Sequence, residues 1–149
     1  CNFYPERLVD LCMNATVIPA VNQVECHPFF QQKEAMAVMK EHNVQIEAWG
    51  PFAEGQKNIF TNDILTKIAG KYGKTTAQVI LRWNIQRGVV VIPKSVHENR
   101  IQENINIWDF TLSEDDMEAI AQMDLGHSEI IDHFSANTAK YLNEFKIHD

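Results

Sequence analysis

The sequence predicts an α/β fold built on parallel strands. Three observations carry that prediction. Short apolar or β-branched runs stand at Pro19–Glu25, Val44–Trp49 and Val89–Ile92. Segments with helical spacing lie between and after them, and glycine, proline or capping residues mark most of the changeovers. Strands that alternate with helical segments are the pattern of βαβ units, whose crossovers keep neighbouring strands parallel.

Taken in order, Pro5 opens the first helix, since its fixed φ suits the first helical position. Leu8, Leu11 and Cys12 give that helix an apolar face. Pro19–Glu25 reads as a strand, and Gln31–Asn43 as a helix with Ala35, Val38, Met39 and His42 at i, i+3, i+4 and i+7. Val44–Trp49 alternates as a second strand, and Gly50–Ile59 is a loop with two glycines and a proline. Asn62–Tyr72 places Ile64, Leu65, Ile68 and Tyr72 on one side of a helix, with Gly73 as its left-handed stop. Thr75 and Gln78 have the spacing of a capping box for a helix to about Gln86, whose Val79, Ile80, Leu81, Trp83 and Ile85 are too apolar for an exposed element.

Val89–Ile92 is a run of four β-branched residues, the pattern of a fully buried strand, and Pro93 stops it because proline cannot donate to a ladder. A helix follows from about Glu98 to Ile105, and Ser113 with Asp116 caps another to about Met123. From Gly126 onward no period is clear until a turn of helix at Thr138–Phe145. With no internal repeat or linker, the chain reads as one unit. Three full strands and the end of a fourth at Cys1–Phe3 are too few to close a barrel. An open edge of parallel strands is a pairing liability, so either another polypeptide covers it or these residues are a piece of a longer chain.

Composition narrows the function classes. Of the 149 residues, 45% are hydrophobic and 22% charged, as in a globular protein. A net charge of −7 with no basic stripe argues against nucleic acid as a partner. No apolar stretch reaches the length needed to span a bilayer, so no membrane partner is expected. Cys1, Cys12 and Cys26 show no CxxC spacing, which predicts free thiols in a reducing cytoplasm and no metal site. Cys26 and His27 are adjacent, but neighbours on an extended chain point opposite ways, which argues against a nucleophile–base pair.

Asn2, Gln23, Trp49 and Lys94 each fall at a strand end on one side of the β/α layer, where barrel enzymes place their chemistry. Lys94 and Ser95, followed by a helical pattern with Arg100 in its first turn, converge as a cradle for a phosphate monoester. On spacing alone, a basic loop facing water fits these residues equally well.

VVVIPKSVHENRIQEN (Val89–Asn104) resembles the adenosine-2′-phosphate segment of the aldo-keto reductases. PAVNQVECHPF (Pro19–Phe29), IEAWGPFAEG (Ile46–Gly55), GKTTAQVILRW (Gly73–Trp83) and WDFTLSEDDMEAI (Trp108–Ile120) fall in that family's order and at about its spacing. CNF at Cys1–Phe3 resembles the family's Ser-Asn-Phe. The likeness spans essentially the whole chain and looks closest to the bacterial diketogluconate and methylglyoxal reductases. It implies a (β/α)8 barrel, which needs roughly 250 residues. The chain is then the second half: an incomplete barrel of three to four strands with C-terminal helices, residues 1–125 forming β/α units and 126–149 a tail.

The resemblance implies an NADPH-dependent reductase of small aldehydes or ketones, with no metal. The family's catalytic Asp, Tyr, Lys and His belong to the other half. No catalytic residue is therefore expected among these 149, and the chain alone is expected to be inactive. Asn2 and Gln23 match the residues that hold the nicotinamide carboxamide, and Trp49 stands where the family usually stacks a Tyr on the ring. Cys1 replaces a Ser beside the carboxamide and, as a weaker donor, is not counted as a ligand. Gly50 and Phe52 belong to a loop over the pyrophosphate, with Glu54 expected to point outward. Lys94, Ser95 and Arg100 match the 2′-phosphate ligands; Glu103 and Asn104 match those of the adenine amino group. His27 is expected to cap its loop, and His127 and His133 to line a substrate pocket. The alternative to a reductase is a non-catalytic half-barrel that binds nucleotide or pairs with a second copy. Its open edge would otherwise be covered by the N-terminal half.

Overall fold

A three-stranded parallel sheet organises the computed structural model, which describes residues 1–146. Strands β1 (Val21–Glu25), β2 (Gln45–Trp49) and β3 (Val90–Val91) lie in that order, with Gln23 beside Glu47 and Glu47 beside Val90. Cys1–Phe3 runs along the outer side of β1. Asn2 N–H donates to Gln23 O at 2.8 Å, and the Asn22 carboxamide bonds both Phe3 N–H and Phe3 O. The sheet is thus three parallel strands with Cys1–Phe3 bonded alongside β1.

Helices α1 (Pro5–Asn14) and α2 (Lys33–Glu41) cover one face of the sheet. Leu8, Cys12, Ala35 and Met39 from the helices pack there on Val24, Ile46, Ala48 and Val89. Pro5 starts α1 as its fixed φ predicts. Helix α2 is shorter than its periodic pattern, starting only after Gln32 in a left-handed conformation and stopping at His42.

A second core joins α3 (Asp63–Tyr72), α4 (Thr76–Gln86) and α6 (Glu114–Ala121) around Leu65, Ile68, Val79, Ile80, Trp83 and Ile120. Asn62 caps α3 through Ile64 N–H and Leu65 N–H, and Gly73 ends it at φ +61°. Thr75 and Gln78 form the capping box of α4 in both directions. Helices α5 (Glu98–Ile105) and α7 (Ala136–Glu144) bury no residue.

Two expectations change. The Val89–Ile92 run is not a fully buried strand. Only Val90–Val91 pairs, and Val90 and Ile92 are 41% and 49% exposed while Val89 is buried. Side chains alternate across a strand. Val89 and Val91 meet the helices, whereas Val90 and Ile92 face the side that no described helix covers. The segment after Trp49 is also not a plain loop. It holds 3-10 turns over Ala53–Thr61, with Ala53, Glu54, Lys57 and Asn58 all left-handed, a conformation rare outside glycine. Among the described residues no helix is long and apolar enough to cross a membrane.

Candidate functional site

Two groups of the residues singled out in the sequence come together, in two different settings. The first lies on the uncovered face of the sheet at its C-terminal end. Asn2 adopts φ +55°, a region that asparagine tolerates better than most residues. Its Oδ1 accepts from Trp49 Nε1 at 2.7 Å. Beside it, Gln23 Nε2 donates to Glu47 Oε1 at 2.5 Å, across the register pair of β1 and β2. Asn2, Gln23 and Trp49 are thus neighbours, tied by hydrogen bonds. Cys1 is exposed.

The tail crosses these strand ends. Glu25, 1% exposed, accepts from Ser128 Oγ at 2.6 Å and from Glu129 N–H at 3.1 Å. Its Oε1 also meets His27 Nε2 at 2.9 Å. Burial alone would push the Glu25 carboxyl up, but the bonds from His27, Ser128 and Glu129 outweigh it and hold the group below the usual carboxylate range. Ile130 packs at Gly50, where a Cβ would stand 3.0 Å from its Cδ1 at φ +58°, which favours glycine there. Lys57 reaches Glu129 at 3.0 Å and ties the segment after β2 to the tail. His133 sits edge-on to Trp49, with centroids 6.4 Å apart, and beside Tyr4 at 5.9 Å. His127 stays exposed, paired with Glu129 at 3.3 Å.

The second group lines a cleft of about 760 Å³ between the segment after β2, the N-terminal end of α4 and α5. Phe52, Lys94, Ser95, Arg100, Glu103 and Asn104 all open onto it. Neither Lys94 nor Arg100 has an acidic partner among the described residues. Glu103 accepts from Thr75 Oγ1 through one oxygen at 2.5 Å. Glu54 is exposed and does not line the cleft.

His27 is a loop cap. Fully buried, its Nδ1 accepts from Phe29 N–H and Phe30 N–H, both at 3.2 Å. Cys26 beside it is no nucleophile, because burial pushes its thiol up to about 11 and it packs against Arg87 and Asn84. Sequence reasoning missed Glu47, Ser128 and the cleft residues Phe60, Thr75 and Lys74. Thr75 also caps α4, and Lys74 is paired with Asp109 at 2.7 Å. Nothing local marks Glu47 or Ser128, since their partners lie 24 and 103 residues away.

Comparison with known proteins matches residues 1–125 to the model of the Aldo/keto reductase family. The chain is 46% identical over 123 residues to a 9,11-endoperoxide prostaglandin H2 reductase of Trypanosoma cruzi (strain CL Brener), covering 82% of this chain and 44% of that protein. It is 44% identical over 126 residues to the methylglyoxal reductase DkgA of Escherichia coli (strain K12), covering 85% and 46%. The chain thus spans about half the length of the curated relatives it matches. Among solved structures, a variant of Gox0644 in complex with NADPH superposes with a TM-score of 0.78 at 42% identity, covering 83% of this chain and 45% of that one.

Proposed function

The chain belongs to the aldo/keto reductase family, and on that premise we propose that it is the cofactor-holding part of an NADPH-dependent reductase of small aldehydes and ketones. The observation that carries the reading is the cleft: two cations without acidic partners among the described residues, a hydroxyl, a carboxylate and a carboxamide gathered beside the aromatic ring of Phe52. Lys94, Arg100 and Ser95 suit a 2′-phosphate, which needs charge-assisted donors. Glu103 and Asn104 suit the adenine amino group; one Glu103 oxygen is taken by Thr75, and the other is left to accept.

At the other end, Trp49 offers an aromatic face for stacking, and Asn2 and Gln23 offer amides to a carboxamide. Gly50 and Phe52 belong to the segment between the two ends, where the pyrophosphate would lie. When bound, the nicotinamide supplies a hydride to the carbonyl carbon. These residues hold and orient it; in the tail, His133 lies edge-on to Trp49 and Ile130 packs at Gly50, walling the substrate side. The proton for the forming alkoxide comes from family residues that find no match here. These 149 residues alone are expected to turn over no aldehyde, checked by NADPH oxidation with methylglyoxal. Robust turnover would mean that an acid among them has been overlooked.

The decisive experiment is calorimetric binding of NADPH and NADH to Lys94→Met with Arg100→Met. Each lost charged contact is expected to cost about 1.5–3 kcal/mol for NADPH and almost nothing for NADH. Equal weakening of both would sink the 2′-phosphate role.

A second reading has one observation in its favour. Val21, Val90 and Ile92 leave apolar surface open on the uncovered face, 48%, 41% and 49% exposed. A self-paired half-barrel would cover it, as would further residues of the same barrel. A native mass of twice the verified chain mass supports the pair; a monomer rules it out.

A further inference from the structure

We propose that Glu47 and the indole N–H of Trp49 are positioning groups that lock the amides of Gln23 and Asn2 in opposite senses. Asn2 then turns its NH2, and Gln23 its oxygen, toward a primary carboxamide. The proposal rests on the nicotinamide reading above and deepens it.

An isolated Asn or Gln amide has no intrinsic sense: either end can turn toward a ligand, and their shapes are nearly identical. Here each amide touches a group that works in one direction only. An indole N–H can only donate, so the atom 2.7 Å from Trp49 Nε1 is the Asn2 oxygen. A carboxylate accepts, so the atom on Glu47 is the Gln23 nitrogen. What remains is opposite in kind. Asn2 keeps its NH2 and Gln23 keeps its oxygen, and among the described residues neither atom has a partner. A primary carboxamide displays one acceptor oxygen and one donor nitrogen, the complement of that pair.

The backbone keeps the two amides adjacent. Asn2 N–H donates to Gln23 O at 2.8 Å, and the left-handed Asn2 turns its side chain toward Trp49. Among the described residues Glu47 has no competing side-chain partner. Its register neighbour on the other side is Val90, which carries no polar group, so its described side-chain partner is Gln23 alone. Set between Gln23 and Val90 in the register, the carboxylate has one described side-chain bond, to Gln23. Holding the Gln23 nitrogen away from the ligand accounts for it. Trp49 likewise does more than stack: a Tyr in its place has no ring N–H to hold Asn2.

The test uses the full chain and three probes measured by calorimetry: NADP⁺, its 3-acetylpyridine analogue and adenosine 2′,5′-bisphosphate. The analogue keeps the carbonyl acceptor and replaces NH2 by methyl, so it cannot use the Gln23 acceptor. Glu47→Leu is expected to weaken NADP⁺ roughly three- to tenfold, the range of one neutral hydrogen bond, and to leave the analogue and the bisphosphate unchanged. Glu47→Gln, which alters no volume, should show the same pattern to a smaller degree. Trp49→Phe keeps an aromatic face but frees Asn2, so NADP⁺ and the analogue should weaken together while the bisphosphate holds. If Glu47→Leu and Glu47→Gln weaken the analogue as much as NADP⁺, or affect neither, Glu47 orients nothing and the proposal is overturned. A wild-type chain that binds neither NADP⁺ nor the bisphosphate overturns the cofactor reading itself, and this proposal with it.

Discussion

On the helix-covered face of the sheet Val24, Ile46, Ala48 and Val89 are all at most 5% exposed, packed on α1 and α2. One residue along the same strands, on the opposite face, stand Gln23, Glu25, Glu47 and Trp49, each held by a side-chain hydrogen bond. The two faces share a backbone and a register, yet one is held by shape and the other by direction. The covered face needs only apolar volume, because dispersion and the hydrophobic effect have little directional demand. The uncovered face needs donors and acceptors in a fixed sense. A change of one methylene therefore acts on stability on the first face, whereas on the second a change of one atom type acts on recognition.

The largest effect that would test this contrast is on the covered side. Ile46→Ala is expected to destabilise the fold by about 2–5 kcal/mol, the range for a buried aliphatic truncation, read from urea unfolding at neutral pH. A loss below about 1 kcal/mol would mean that the helix-covered core is loosely packed and the contrast overstated.

Next comes the bonded carboxylate at the end of the uncovered face. Ser128→Ala removes a donor from buried Glu25 and is expected to cost about 1.5–3 kcal/mol at pH 7. The sign with pH follows from the depressed Glu25 carboxyl. A group whose pKa is lowered on folding stabilises above its ordinary value of 4.5, and that stabilisation is lost as pH falls through the lower folded value. The gap in urea midpoint between wild type and Ser128→Ala should therefore narrow as the solution is acidified below that range, without closing, because Ser128 Oγ also accepts from Ile130 N–H and Ile131 N–H. A gap that persists unchanged in acid would show that Ser128 acts through something other than Glu25.

The smallest effect separates the readings of the open face. Val90→Thr keeps a β-branched shape at a 41% exposed site and should stay within about 0.5 kcal/mol. A loss well beyond that would reveal a face that is covered in solution, and would favour the paired half-barrel.

Much of this was legible in the sequence because the signals are local. The Thr75–Gln78 capping box, Pro5 at the start of α1 and Gly73 at the end of α3 each act within four residues, so spacing alone exposes them. Lys94, Ser95, Arg100, Glu103 and Asn104 were legible as a group for the same reason, lying within eleven positions on one turn and one helix. What failed was non-local. Four consecutive β-branched residues read as buried on both sides, but burial of Val90 and Ile92 depends on what covers the second face, which no local pattern encodes. The left-handed run at Ala53, Glu54, Lys57 and Asn58 carries little glycine to announce it. Glu47 looked like an ordinary strand polar residue until the β1–β2 register set it against Gln23.

Glu25 also joins distant parts of the chain. Its carboxylate is held where β1 is paired and His27 turns the chain at Phe29 and Phe30. The donors at Ser128 and Glu129 arrive from 103 and 104 residues downstream. Closing so long a loop costs entropy, of which the contacts Leu125–Phe29 and Lys57–Glu129 repay part. The tail is thus coupled to the end of the sheet: whatever disturbs β1 at Glu25 also releases Ser128 and Glu129.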